Sequence, residues 1–415
     1  MTARSANSSN SSSDPDARAG KAFYPPKQKP LMTRLVQSIS YPLARILYKF
    51  RLSVSEESVG RVRAISDARA VFVCNHPTME DGITLFVLSA RLGQIFHYVV
   101  ARESFGGLMG WFIQRLGCYS IRRGMGDRAS ISQTLSLLKA PHCRLVIFPE
   151  GGCSYQNDTI MPFRTGAIQL PMSVLAQLAK KARSPDQVPD FYIVPLSLKY
   201  RYQQPMHRVI ESVLLRLEAQ LGIVLAPDAS NYQRLRQVAN QVIIKIETEA
   251  SLPHPNSLDW NQRIDRLKQF FIQKCEAALN IEPATNLPLR ERVYKVQALL
   301  EEAEETSSTT HEELYWDTVR LLNFDAIYDG YVAEMPTSER FLDTLTRLER
   351  EVFHLEHAQP KAPRKACFYV GEPINLKDYL ADYQRDRSTT INQLSEQLRQ
   401  TMQINLNHIN EQSTK

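Results

Sequence analysis

Between residues 68 and 200 short apolar runs alternate with longer stretches of helical period, and that alternation limits the fold more than any other feature. The strand-like runs are Ala70–Cys74, Ile95–Ala101, Cys118–Arg122, Arg144–Phe148 and Phe191–Lys199. Helical stretches separate them at Ile83–Leu92, Leu108–Leu116, Arg128–Lys139 and Gly166–Ala182. Strands alternating with helices in this way predict an α/β fold, a sheet with helices on its faces.

From about 201 to 365 the strand signal disappears. Stretches such as "HRVIESVLLRLEAQL" and "DWNQRIDRLKQFFIQKCEAAL" carry only helical period. β character returns in Ala366–Leu376, and a last helix is expected over Thr389–Asn407. The all-α stretch is therefore either a large helical insertion or an appended helical domain that contains one strand.

The first 30 residues are rich in Ser, Asn and Pro, and are expected to form a disordered tail. Residues 31–50 follow as an amphipathic helix. Met32, Leu35, Val36, Ile39, Leu43, Ile46, Leu47 and Phe50 fall on one side, and Arg34, Arg45 and Lys49 on the other. Such a helix either lies in a membrane interface or packs on the domain's own core. No run is long and apolar enough to be read as a membrane-spanning helix.

The 415-residue chain carries a formal charge of +6, a mild excess that suits anionic partners such as phosphate groups or an acidic membrane surface. It is too weak to argue for nucleic acid, and no nucleic-acid motif is present. The six cysteines form no CxxC pair or zinc-ligand spacing, the usage of a reducing, cytosolic compartment. No metal site or cofactor is expected.

Four stretches carry chemistry. In "VFVCNHPTMEDG" a buried strand ends at Asn75-His76, and Asp81 follows at the start of a helix. A carboxylate there can turn back to the imidazole, fix its tautomer and make it a general base. In "VIFPEGGCSYQNDTIMPFRTGA" a second strand ends at Glu150, with Gly151 and Gly152 allowing close approach of backbone to a ligand, and Arg164 precedes the next helix. "GCYSIRRG" delivers Arg122 and Arg123, suited to bidentate phosphate contact. "YIVPLSLKY" is a strand that contains Pro195. A lipase or esterase would want G-x-S-x-G, but Gln156 stands where the second glycine would follow Ser154.

In this order and spacing the four stretches resemble the glycerolipid acyltransferase family, the lysophosphatidic acid and glycerol-3-phosphate acyltransferases. The matching blocks are Asn75 to Asp81, Gly117 to Arg123, Phe148 to Ser154, and Ile193-Val194-Pro195. "FYVGEPI" looks like the family's closing strand, so the resemblance covers residues 31–200 and 366–410, with 201–365 as a helical insertion. It implies a mixed sheet flanked by helices and a membrane-associated enzyme, peripheral or monotopic on the cytoplasmic face. It also implies transfer of a fatty acyl group from acyl-CoA or acyl carrier protein to a lysophospholipid hydroxyl. His76 would act as base, with Asp81 orienting it. Arg122, Arg123, Glu150, Gly151, Gly152 and Arg164 would bind the acceptor's phosphate-bearing head, Glu150 by holding an arginine or a glycerol hydroxyl. Two positions depart from the family. Cys153 stands where an arginine is usual, and Arg122 where an acidic residue often precedes the arginine. The double arginine is closer to the branch that acylates glycerol 3-phosphate.

Overall fold

The computed structural model describes residues 23–224, 228–254, 257–303, 309–325 and 327–411. Most of the tail expected at 1–30 lies outside these. Residues 23–29, however, are not free. They run extended along the domain, with the Tyr24 N–H donating to Ser120 Oγ and the Lys27 and Lys29 N–H groups to the carbonyls of Gln114 and Arg115.

The first helix is α1 (Pro30–Leu47). The chain then makes an edge strand β1 (Phe50–Val54), where a helix end was expected, and α2 (Glu56–Ala64). The alternating region follows as β2 (Arg69–Cys74), α3 (Asp81–Arg91), β3 (His97–Ala101), α4 (Gly107–Arg115), β4 (Cys118–Ile121), α5 (Arg128–Lys139), β5 (Arg144–Ile147), α6 (Gly166–Lys181) and β6 (Phe191–Tyr202). Next come the helices α7 (His207–Leu221), α8 (Asn231–Glu249), α9 (Trp260–Ala278), α10 (Leu289–Glu302), α11 (Thr309–Phe324), α12 (Tyr331–Glu334) and α13 (Ser338–Val352). The chain returns to the sheet at β7 (Arg364–Val370) and β8 (Ile374–Asn375), and ends with α14 (Leu380–Arg385) and α15 (Arg387–Glu411).

The sheet order is β1-β7-β6-β2-β5-β3-β4, with β8 pairing β6. Strands β2 to β6 are mutually parallel, and β7 lies antiparallel to β6 and parallel to β1, which makes the sheet mixed. Parallel strands require crossover helices, and the helical stretches supply them. The period of two in the strands explains the two cores. Val71, Val73, Leu145 and Ile193 face α6 and α15, whereas Ala70, Phe72, Val146 and Val194 face α2 and α3. The helices from α7 to α13 build a third core around Leu217, Val242, Leu267, Val293 and Leu345.

Helix α1 packs inside out. It buries Thr33, Gln37, Ser40 and Ala44 and turns its apolar face to solvent, with Leu31 88%, Leu35 68% and Ile46 72% exposed. Gln37 Nε2 donates to Ser89 Oγ and to the Gln94 carbonyl, both at 2.8 Å, so the buried stripe is satisfied by hydrogen bonds. Phe50, expected on the apolar face of this helix, is instead a core residue of β1. Among the described residues, no helix is long and apolar enough to cross a membrane.

Candidate active site

Because β2, β5 and β4 are parallel neighbours or near neighbours, their C-terminal ends open at one edge. Beyond Cys74, the Asn75 side chain continues the ladder, donating to the Leu198 carbonyl at 2.9 Å and accepting from the Leu198 N–H at 2.7 Å. His76 is thus the first residue free of the sheet. Asp81, the first residue of α3, is fully buried and accepts four hydrogen bonds. The donors are His76 Nδ1 at 2.8 Å, the Thr78 N–H at 2.9 Å, Thr78 Oγ1 at 2.8 Å and the Tyr200 hydroxyl at 2.8 Å. An ionised carboxylate only accepts, so the His76 proton sits on Nδ1 and Nε2 keeps its lone pair. The Phe148 ring stacks on the imidazole at 4.3 Å and holds its plane.

Phe148 begins the turn after β5. Gly151 has φ +76°, a conformation that other residues adopt at a cost, and a side chain there would collide with the Arg164 guanidinium. A side chain at Gly152 would meet the Tyr294 hydroxyl. The Ser154 N–H donates to the His76 carbonyl at 2.8 Å, tying this turn to the histidine loop. Ser154 Oγ also points to that carbonyl, at 3.3 Å, rather than to the imidazole, so no serine nucleophile is assembled. Glu150 is buried, and neither carboxyl oxygen has a partner of hydrogen-bonding geometry among the described residues. Burial pushes its pKa up to about 8, offset in part by Arg290 and nearby backbone amides.

The arginines separate into two groups. Arg123 and Arg164 flank the Tyr294 ring at 4.4 and 5.5 Å, and line the cavity beside His76. Arg123 pairs with Glu103 at 3.0 Å and Arg164 with Glu291 at 2.6 Å. Arg122 turns away to Glu302 on α10 and lines neither cavity at His76, so the structure does not bring it to the other candidates.

His76 stands between two cavities. One, of about 230 Å³, is largely apolar, walled by Val99, Ile131, Ile147 and Leu170. The other, of about 740 Å³, opens between the sheet edge and the helices, where Tyr294, Gln297, Tyr315 and Arg350 face it. The helices also clamp the loop after Gly152. Arg290 donates to the Gly152 carbonyl at 2.9 Å and Arg347 to the Ser154 carbonyl at 2.7 Å. Asp343 accepts from the Asn157 N–H at 3.0 Å, and Arg340 and Lys199 hold Asp158.

Sequence reading missed Thr78, Tyr200, Arg290 and Tyr294. The first lies inside a stretch already singled out, with a hydroxyl three residues before Asp81 as its signal. Tyr200 is the last residue of the quoted stretch "YIVPLSLKY" and lies within β6. The last two carry no local signal, because only folding brings α10 against the glycine turn. Among the described residues no group of three or more His, Cys, Asp or Glu is arranged to hold a metal.

No curated protein matches the chain. The family model for the acyltransferases matches residues 54–199, the stretch that runs from the end of β1 through most of β6 and contains every candidate residue named from the sequence. The chain therefore carries an acyltransferase domain of the glycerolipid acyltransferase family at residues 54–199.

Proposed function

We propose that the protein moves a fatty acyl group from a thioester, acyl-CoA or acyl carrier protein, to a hydroxyl of lysophosphatidic acid at a membrane surface. The observation that carries this reading is the His76–Asp81 pair, with Nε2 unblocked at the meeting of two cavities. In the proposed reaction Nε2 takes the hydroxyl proton as the oxygen attacks the thioester carbonyl. Asp81 stabilises the imidazolium that forms. The tetrahedral intermediate collapses, the C–S bond breaks, and His76 returns the proton to the leaving thiolate. No acyl-enzyme is needed. The acceptor's phosphate pairs with the N–H groups of Arg123 and Arg164 that their carboxylate partners leave free.

The outward apolar face of α1 supports a membrane location. Helix α4 also exposes Leu108, Met109 and Trp111, and Thr33 Oγ1 donates to the Arg115 carbonyl where α1 meets α4. Arg115 lies over the Trp111 ring at 3.7 Å beside the exposed residues of α4, and α1 has no acidic residue in its first turn. Exposed apolar residues beside a cation suit the interface of an anionic bilayer. The free cysteines suit its cytoplasmic side.

The test is to incubate purified protein with a long-chain acyl thioester, vesicles and a panel of acceptors, and to read products by mass spectrometry. Lysophosphatidate, glycerol 3-phosphate and neutral lysolipids form the panel, with His76→Ala as control. A phosphatidate product lost in the variant supports the reading. Product from glycerol 3-phosphate or a neutral lysolipid instead changes the acceptor. Free fatty acid alone would mean hydrolysis, and no turnover would favour a non-catalytic lipid-binding scaffold.

A further inference from the structure

The helices from α7 to α13 do more than cover the site. Arg290, in the first turn of α10, is 7% exposed. Its Nε donates to Asp325 at 2.8 Å and its Nη1 to the Gly152 carbonyl at 2.9 Å, while Nη2 is buried with no partner among the described residues. Arg164 Nη2 and Arg123 Nε, beside the same turn, are among the other buried guanidinium atoms in that condition. All three side chains surround one turn. Arg164 lies against Gly151, Arg290 against Gly152, and Tyr294 carries Arg123 and Arg164 on its ring.

Buried donors without acceptors are costly, and so is the gathering of three like charges. Glu103 pairs with Arg123, Glu291 with Arg164 and Asp325 with Arg290, but each carboxylate occupies only part of its partner's fork of donors. Burial, with Arg290 and Arg123 as like-charged neighbours, lowers the pKa of Arg164. Such a cluster is relieved by an anion with several acceptor oxygens.

We propose that the helical segment completes a phosphate site, with Arg123 and Arg164 contacting a phosphate monoester at the cavity wall and Arg290 behind the glycine turn as a positioning residue. Arg290 acts by fixing the Gly152 carbonyl, and with it the turn against Arg164, and by adding positive charge behind that turn. It is a cation delivered from 138 residues away in sequence, beside the position where Cys153 offers none. The assignment of this phosphate to the acyl acceptor rests on the function proposed above; the phosphate site itself does not.

The experiment has two arms, on wild type, Arg290→Gln, Arg290→Lys and the surface control Arg385→Gln. Thermal unfolding is followed with and without inorganic phosphate, and a site predicts a Tm rise in wild type and control that is lost in Arg290→Gln and partly kept in Arg290→Lys. Steady-state kinetics then predict that Arg290→Gln raises KM for the phosphate-bearing acceptor about tenfold or more, with a smaller fall in kcat. KM for a neutral lysolipid and for the CoA thioester stays unchanged. Arg290→Lys can still reach Asp325, so it covers the case in which Arg290→Gln fails to fold. No phosphate shift in wild type, or a shift as large in both Arg290 variants as in wild type, would overturn the site. A rise confined to the KM of the thioester would move the phosphate to the CoA donor and overturn the acceptor assignment. A phosphate shift that depends on Arg290 in a protein that transfers no acyl group would sustain the site and sink the enzymatic reading.

Discussion

At the scale of residues, the proposed proton transfer depends on one carboxylate and its four donors. Asp81→Asn keeps the shape but loses the charge and offers N–H groups where only acceptors fit. Acyl transfer should fall about a hundredfold or more, read as kcat with the protein still folded. Tyr200→Phe removes one donor, and the loss should be about tenfold or less. Glu150 gives a pH test. Its folded-state pKa of about 8 lies above the ordinary 4.5, so its contribution to stability is full below about 4.5 and is lost as pH rises through 8. That contribution falls at up to about 1.4 kcal/mol per pH unit between those values. Urea unfolding of Glu150→Gln should show a flatter decline over this window, and a slope equal to that of the wild type would contradict the buried, protonated carboxyl. The His76–Asp81 contact was legible because its partners lie only five positions apart, at the two ends of one loop. Tyr200 was not, because its bond to Asp81 spans 119 residues and nothing in a strand's alternation says which hydroxyl meets which acid.

At the scale of elements, the α/β alternation specified β2 to β6 because each strand is a dense apolar run between helical stretches. β1 escaped notice, since a five-residue edge strand with one fully buried residue leaves a faint pattern. The helical wheel of α1 separated its faces but could not say which one is buried. A polar stripe of Thr33, Gln37 and Ser40 seated on α3 is a tertiary fact, set by acceptors at Ser89 and Gln94. It also makes a prediction. Leu35→Glu with Ile46→Glu changes only exposed side chains, so stability should move by about 0.5 kcal/mol or less, whereas binding to anionic vesicles should weaken about tenfold or more. Unchanged sedimentation with vesicles would remove α1 from the membrane contact.

At the scale of the molecule, a helical segment lies in the chain between two neighbouring strands, β6 and β7, and folds back over the edge where β2 and β5 end. Its arginines and Asp343 grip the loop that bonds the His76 backbone, so chemistry and helices share one set of buried contacts. The helical period of these segments was plain from the sequence, but their place over the site was not, because charge pairs such as Arg164–Glu291 form only between distant segments. In the proposed reaction His76 passes a proton during acyl transfer to a lysolipid hydroxyl. The most direct measurement is a single-turnover assay with labelled acyl thioester and lysophosphatidate, comparing wild type with His76→Ala of matched thermal stability. Labelled phosphatidate is expected from the wild type, with a rate lower by about a hundredfold or more in the variant. Equal rates from both proteins, or label released only as free fatty acid, would contradict the proposed reaction.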